Sequence, residues 1–244
     1  MTRFSAGAVS ALTILLCAAP AQAATVSWHN TGAHTTAEIS VQGGPAELNY
    51  IELQQEPKVP GRPQVVRVID RGVSPMKTTG PVTPGVCHTT SCTVPCPIVA
   101  PNEARCSLAD GYRYGPVNLP GGSPPDTFWH ADVNLGDGPD RFFEPVSSGV
   151  FSTVHGDGGD GYTLHGKAEL WLTNGDHAEF VGPPAVSGGS TVYVGGDAEV
   201  FADDGAQQHI VCRSSVAQRR FEVDRLDTVE RCDPDLDQEG GLLP

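Results

Sequence analysis

Positive charge is scarce in this 244-residue chain: 15 Lys+Arg stand against 29 Asp+Glu, a formal net charge of −14. A nucleic-acid or anionic-membrane binder needs a basic face, so the composition speaks against both partners. After residues 6–19 there is no apolar run approaching transmembrane length, which argues against an integral membrane protein. Sustained helical pattern is missing as well. With 29 Gly and 21 Pro, breakers recur too often for long helices, because each destabilises a helix interior. Catalytic signatures are also lacking. There is no H-E-x-x-H, and Gly188-Gly189-Ser190-Thr191-Val192 fails G-x-S-x-G at its closing glycine. The chain is therefore expected to carry no catalysis. What it does have is 39% hydrophobic residues, enough to build a core rather than remain disordered.

The first 23 residues read as a secretory signal peptide. Arg3 supplies the positive start, residues 6–19 the apolar run, and Ala21-Gln22-Ala23 a small-x-small cleavage site. The expected location is secreted or extracellular. Cleavage removes Cys17, one of 7 cysteines, and leaves an even set that reads as disulfides in an exported chain. Cys212 and Cys232 are expected to pair. Cys87, Cys92, Cys96 and Cys106 allow three connectivities, of which nesting is favoured: Cys87–Cys106 around Cys92–Cys96. The Cys92-x-x-x-Cys96 spacing also permits a zinc cluster, which export disfavours.

Short stretches of alternating apolar and polar residues, such as Ala37–Val41 and Val65–Ile69, read as strands bounded by Gly/Pro turns. Residues 75–126 carry much of the proline and four cysteines, and read as a stapled junction. From residue 133 a nine-residue phase emerges. Val133, Phe142 and Phe151 are one set, Tyr162, Trp171 and Phe180 a second, and Val192, Phe201 and Ile210 a third, with slips of two and three residues between sets. Such a phase signals stacked coils, each burying one inward residue per pass; ordinary antiparallel β-structure is the alternative.

Two units are more specific. Gly136-Asp137-Gly138-Pro139-Asp140-Arg141-Phe142 and Gly156-Asp157-Gly158-Gly159-Asp160-Gly161-Tyr162 both fit G-x-G-x-D-x-U, where U is a large apolar residue. Glycines permit a tight turn with positive φ, and the aspartate adds a charged oxygen of the kind Ca²⁺ prefers. Over residues 133–166 the sequence resembles the secreted haemolysin-type (repeats-in-toxin) calcium-binding proteins of bacteria. Gly80-Pro81-Val82-Thr83-Pro84-Gly85-Val86-Cys87 with Cys106, and residues 210–232, resemble the cysteine-closed segments that flank the repeats there. The resemblance implies about one Ca²⁺ site. Its carboxylates would come from Asp140 and Asp160, and its carbonyls from Gly136, Gly138, Gly156 and Gly158. Two nonapeptides per coil would make the two aspartates same-side neighbours. In the next same-side loops the aspartate position falls on Ala178 and then Glu199.

The expected fold is all-β. A signal peptide (1–23) precedes a β-rich, disulfide-stapled region (24–126). A short, irregular, β-roll-like parallel β-solenoid (127–210) follows, then a disulfide-closed cap (211–237) and a tail (238–244). Asp233-Pro234-Asp235-Leu236-Asp237 resembles the start of an EF-hand loop but lacks its glycine, and reads as solvated acidic chain. The expected function is calcium-stabilised structure or adhesion outside the cell, with cell-surface or extracellular-matrix contact as the partner class. A β-helix polysaccharide-active enzyme or a sandwich-type carbohydrate- or protein-binding module are the rivals. For a sugar platform Trp28, Trp129 and Trp171 are the candidates, Trp129 as the exposed one and Trp171 as core.

Overall fold

The computed structural model describes residues 24–30, 36–45, 47–57, 59–60, 62, 64–72, 75–78, 92–108, 127–144, 151–181, 189–213 and 220–232. Residues 1–23, expected as a signal peptide, Cys87, the side chains of Cys92 and Trp129, and residues 233–244 lie outside them. The N-terminal part supplies β1 (Thr25–Asn30), β2 (Thr36–Gln42), β3 (Tyr50–Gln55), β4 (Val65–Asp70), β5 (Lys77–Thr78), β6 (Cys92–Pro95), β7 (Ile98–Ala100) and β8 (Glu103–Ser107). Then come β9 (Thr127–Asn134), β10 (Arg141–Glu144), β11 (Phe151–His155), β12 (Gly161–Leu164), β13 (Ala168–Leu172) and β14 (His177–Phe180). The last five are β15 (Ser190–Val194), β16 (Glu199–Ala202), β17 (Gln208–Cys212), β18 (Arg220–Val223) and β19 (Thr228–Glu230). The stretches expected as strands at 37–41 and 65–69 lie inside β2 and β4.

These strands form two mixed sheets, one of ten strands and one of nine. The first runs β19-β17-β15-β13-β11-β9-β2-β1-β5, with β6 also on β1; the second runs β18-β16-β14-β12-β10-β3-β4-β8-β7. From β9 onward the chain alternates between the sheets, and each strand pairs in parallel with the strand two further on. The stapled region joins the same sheets: β2 lies parallel to β9 and β3 parallel to β10. Around them β1, β4, β7 and β8 pair antiparallel.

The core lies between the sheets as columns of registered side chains. Val133, Val154, Leu170, Val192 and Ile210 form one column on the first sheet, each fully buried. Ile51, Phe142, Tyr162, Ala178, Val200 and Phe221 form the facing one. The nine-residue phase therefore holds in part. Val133, Phe142, Tyr162, Phe180, Val192 and Ile210 point inward, but Phe151, Trp171 and Phe201 sit half-buried on the outer faces. The reason is uneven coil length. Corner positions repeat after 20 residues at Asp140–Asp160, 16 at Asp160–Asp176 and 22 at Ala168–Ser190. One residue of drift moves a side chain to the opposite face of a strand. Trp28, by contrast, is wholly buried.

The disulfide pairing corrects the nested expectation. Cys106 bonds Cys96, with Cα atoms 4.6 Å apart, so neither Cys87–Cys106 nor Cys92–Cys96 forms. The β7–β8 hairpin explains this: it pairs Ile98 with Ala104 and so folds residue 96 back onto residue 106. Cys212–Cys232 forms as expected, at a Cα separation of 5.0 Å. The segment expected to close the stack instead extends it. β18 and β19 continue the alternation as a further parallel pass, and all three residues of β19 are exposed. No helix among the described residues is long and apolar enough to cross a membrane.

Candidate functional site: the aspartate column

The two Gly/Asp loops occupy the same corner, where the chain leaves the first sheet for the second. Loop 135–140 links β9 to β10, and loop 156–160 links β11 to β12. Their glycines are needed for space as much as for torsion. A Cβ on Gly156 would lie 1.8 Å from Asp160 Oδ2, so the carboxylate fills the place of a side chain there. Gly158 has a φ of +110°, and a Cβ would approach the Asn174 carbonyl oxygen to 2.7 Å.

Asp140 and Asp160 are neighbours on this corner, as the resemblance implied, and both are 1% exposed. Their carboxylates form a ladder. The Asn49 backbone N–H donates to Asp140 Oδ1 at 2.6 Å. The Asp140 N–H donates to Asp160 Oδ1 at 2.8 Å, and the Asp160 N–H to Asp176 Oδ1 at 3.0 Å. Each rung thus lends an oxygen to the backbone amide at the same place in the rung before it. At Asn49 and Asp160 such a buried amide would otherwise be orphaned where the strand ladder begins, and at Asp140 it is shared with the Gly138 carbonyl. Asp176 Oδ2 also takes the Thr173 N–H at 2.6 Å, and the Tyr162 hydroxyl donates to Asp160 Oδ2 at 3.2 Å. In the following rung Glu199 aligns with His177, which puts Ala198 at the column position with no oxygen to offer.

The opposite corner repeats the device with other residues. The Ala168 N–H donates to Ser190 Oγ at 3.1 Å, and the Gln208 N–H to Asp227 Oδ1 at 2.8 Å. The sequence reading missed Asn49, Asp176, Ser190 and Asp227. Asp176 was passed over for Ala178 because a uniform coil length was assumed, and its loop is shorter. Asn49 lies 91 residues from Asp140, beyond any local signal.

Burial dominates the electrostatics. It raises the Asp140 and Asp176 carboxyls above the usual range and pushes Asp160 up to about 6, helped by the charges of its two neighbours. Asp227 is likewise pushed up to about 6 by burial. A further carboxylate went unnoticed in the sequence. Glu144 points between the sheets, 2% exposed, and burial pushes it up to about 8.

The donors match a hydrogen-bond ladder better than a calcium shell of six to eight oxygens. The Gly136 carbonyl accepts the Asp157 N–H at 3.1 Å, and the Gly138 carbonyl the Asp140 N–H at 3.0 Å. Both carboxylates have Oδ1 engaged by a backbone amide. Among the described residues no three His, Cys, Asp or Glu side chains converge in a way that could hold a metal ion. One oxygen stands apart: Asp140 Oδ2 is buried with no hydrogen-bond partner. The chain matches no protein-family model, no curated protein and no solved structure.

Proposed function

We propose that this chain is an exported, non-catalytic structural or adhesion-type protein, built as a short, irregular parallel β-solenoid. The observation that carries the reading is the alternation of β9–β19 between two sheets, with carboxylates bridging successive passes at the corners. A stack of this kind is a rigid, elongated scaffold whose stability is a sum of nearest-neighbour contacts. Export rests on the signal-like residues 1–23 and on the two disulfides, which persist in oxidising surroundings. Binding or support is then the work of the outer faces.

A second reading keeps Ca²⁺ at Asp140 and Asp160, and it rests on the partnerless Asp140 Oδ2. Thermal and denaturant melts of the mature, disulfide-intact protein, with Ca²⁺ or with chelator, separate the two. On the ladder reading the parent melts alike in both. Asp160→Asn keeps an acceptor and stays close to the parent. Asp160→Ala loses about 1–3 kcal/mol, because the buried Asp140 N–H keeps only the Gly138 carbonyl and the Tyr162 hydroxyl loses its acceptor. A melting temperature that rises with Ca²⁺, and no longer does so in Asp160→Asn, establishes the calcium reading instead. If Asp160→Ala costs nothing, the carboxylates do not stitch the stack and the scaffold argument fails.

A further inference from the structure

Beside the corner, the outer face of the second sheet carries the registered row Tyr50, Arg141, Gly161, His177. Gly161 interrupts this row of side chains at the centre of an open notch of about 420 Å³ that reaches to Pro139, Gly159 and Gly175 at the corner. The Arg141 stem passes over the gap, its Cγ 3.7 Å from where a Gly161 Cβ would sit. Phe143 and Thr163, registered with each other one step along, form a second wall.

The polar groups of this notch are not consumed by the fold. Arg67, Arg71 and Arg105 are each held by a glutamate, whereas Arg141 has no acidic partner among the described residues. The Tyr50 and Thr163 hydroxyls likewise have no hydrogen-bond partner among the described residues. His177 holds Glu199 through Nδ1 at 3.2 Å, which leaves Nε2 as its second polar atom. An aromatic wall with a few convergent donors around a concave space is the make-up of a small-molecule site.

We infer that the Gly161 notch binds one ring of a neutral glycan. A pyranose ring has an apolar C–H face for Phe143 and hydroxyls for Arg141, Thr163 and His177. The charge of the chain selects the class. At a formal −14 it repels polyanions, so acidic polysaccharides and nucleic acids are disfavoured at long range, and an uncharged polyol is not. The inference deepens the adhesion half of the proposed function and rests on it for the setting in which a glycan is met.

Affinity electrophoresis of the mature, disulfide-intact protein tests it, in gels containing dextran, hydroxyethylcellulose, galactomannan or a soluble β-glucan, and in gels containing polygalacturonate. At least one neutral polymer should retard the parent. Gly161→Phe blocks the centre of the notch and should weaken that retardation at least tenfold, while Gly161→Ala stays near the parent. The glycine has no positive φ to preserve, and near-ultraviolet circular dichroism reports whether the Phe variant is folded. Arg141→Ala and Thr163→Ala, on exposed or half-buried positions, give the same test without filling the gap and should weaken retardation severalfold. No retardation by any neutral polymer overturns the inference, as do Gly161→Phe and Arg141→Ala variants that behave like the parent. Stronger, salt-sensitive retardation by polygalacturonate overturns the ligand class. None of these outcomes bears on the Asp160 melts, so failure of the notch and failure of the scaffold are read separately.

Discussion

The two halves of the molecule hold their strands together differently. In residues 24–108 neighbouring strands are mostly antiparallel, and their outer faces carry Arg–Glu pairs across the strands: Arg67 on Glu103, Arg71 on Glu52 and Arg105 on Glu56. Among the described residues of 127–232 the strands pair with one another in parallel, and the buried Asp140, Asp160 and Asp176 meet backbone amides, as the buried Asp70 does in the first half. An antiparallel hairpin satisfies its amides through its own turn. A parallel pass leaves amides to satisfy at its corners, and at Asn49, Asp140, Asp160, Ala168 and Gln208 a later pass supplies a side-chain oxygen. Acidic side chains thus do two jobs, pairing with arginine between antiparallel strands and accepting buried backbone amides at Asp70, Asp140, Asp160 and Asp176.

The largest effect expected from this difference is at Tyr162, 1% exposed in the core column. Tyr162→Ala should cost about 3–5 kcal/mol in denaturant unfolding, as for other large aromatic truncations. Because parallel passes depend on their nearest neighbours, amide exchange should quicken in β11–β19 while β1–β4 stay protected. Equal loss of protection in both halves would show one cooperative unit and remove the distinction.

Alkaline pH should weaken the parallel half selectively. Glu56 and Glu103 are held low by hydrogen bonds from Arg105 and Arg67, but Glu144 in β10 is pushed up to about 8 by burial. The folded state keeps its proton between about pH 4.5 and 8, where an unfolded chain releases it. Stability from this group is therefore complete below pH 4.5 and lost as pH rises through 8, on the order of 4 kcal/mol between pH 5 and 9. Asp160, raised to about 6, adds a smaller slope of the same sign. Glu144→Gln should flatten most of the decline in a pH series of melts. A parent whose stability is level from pH 5 to 9 refutes the assignment.

Local chemistry was legible in the sequence, and long-range register was not. The loops at 136–140 and 156–160 announced the corner, because glycine where no Cβ fits and aspartate where an oxygen is wanted are local demands, while the stacking of Asp140 on Asp160 followed only from the resemblance to a two-unit coil. The wrong faces given to Phe151, Trp171 and Phe201 came from an assumed period. The core steps Val154, Tyr162, Leu170, Ala178 are eight residues apart rather than nine, and insertions elsewhere make up the difference. Cys96–Cys106 needed the β7–β8 hairpin to be seen, and the Gly161 notch needed four strands in register. No pattern along the chain encodes either.

The disulfides offer the smallest and most local test of the comparison. Their sequence separations, 10 for Cys96–Cys106 and 20 for Cys212–Cys232, give loop-closure contributions of about 3 kcal/mol each, less than 1 kcal/mol apart. Chain entropy therefore does not rank them, but placement does. Cys96 and Cys106 are both fully buried among the antiparallel strands. Cys232 is half-buried beside the exposed edge strand β19 and ties it back to β17. Graded reduction followed by alkylation and mass mapping should open Cys212–Cys232 first. Faster amide exchange should then follow in β18 and β19 alone, because an end pass has one neighbour instead of two. If Cys96–Cys106 opens first, or if opening Cys212–Cys232 loosens the antiparallel strands, the end of the stack is not the weakly held part that its parallel, one-sided pairing makes it.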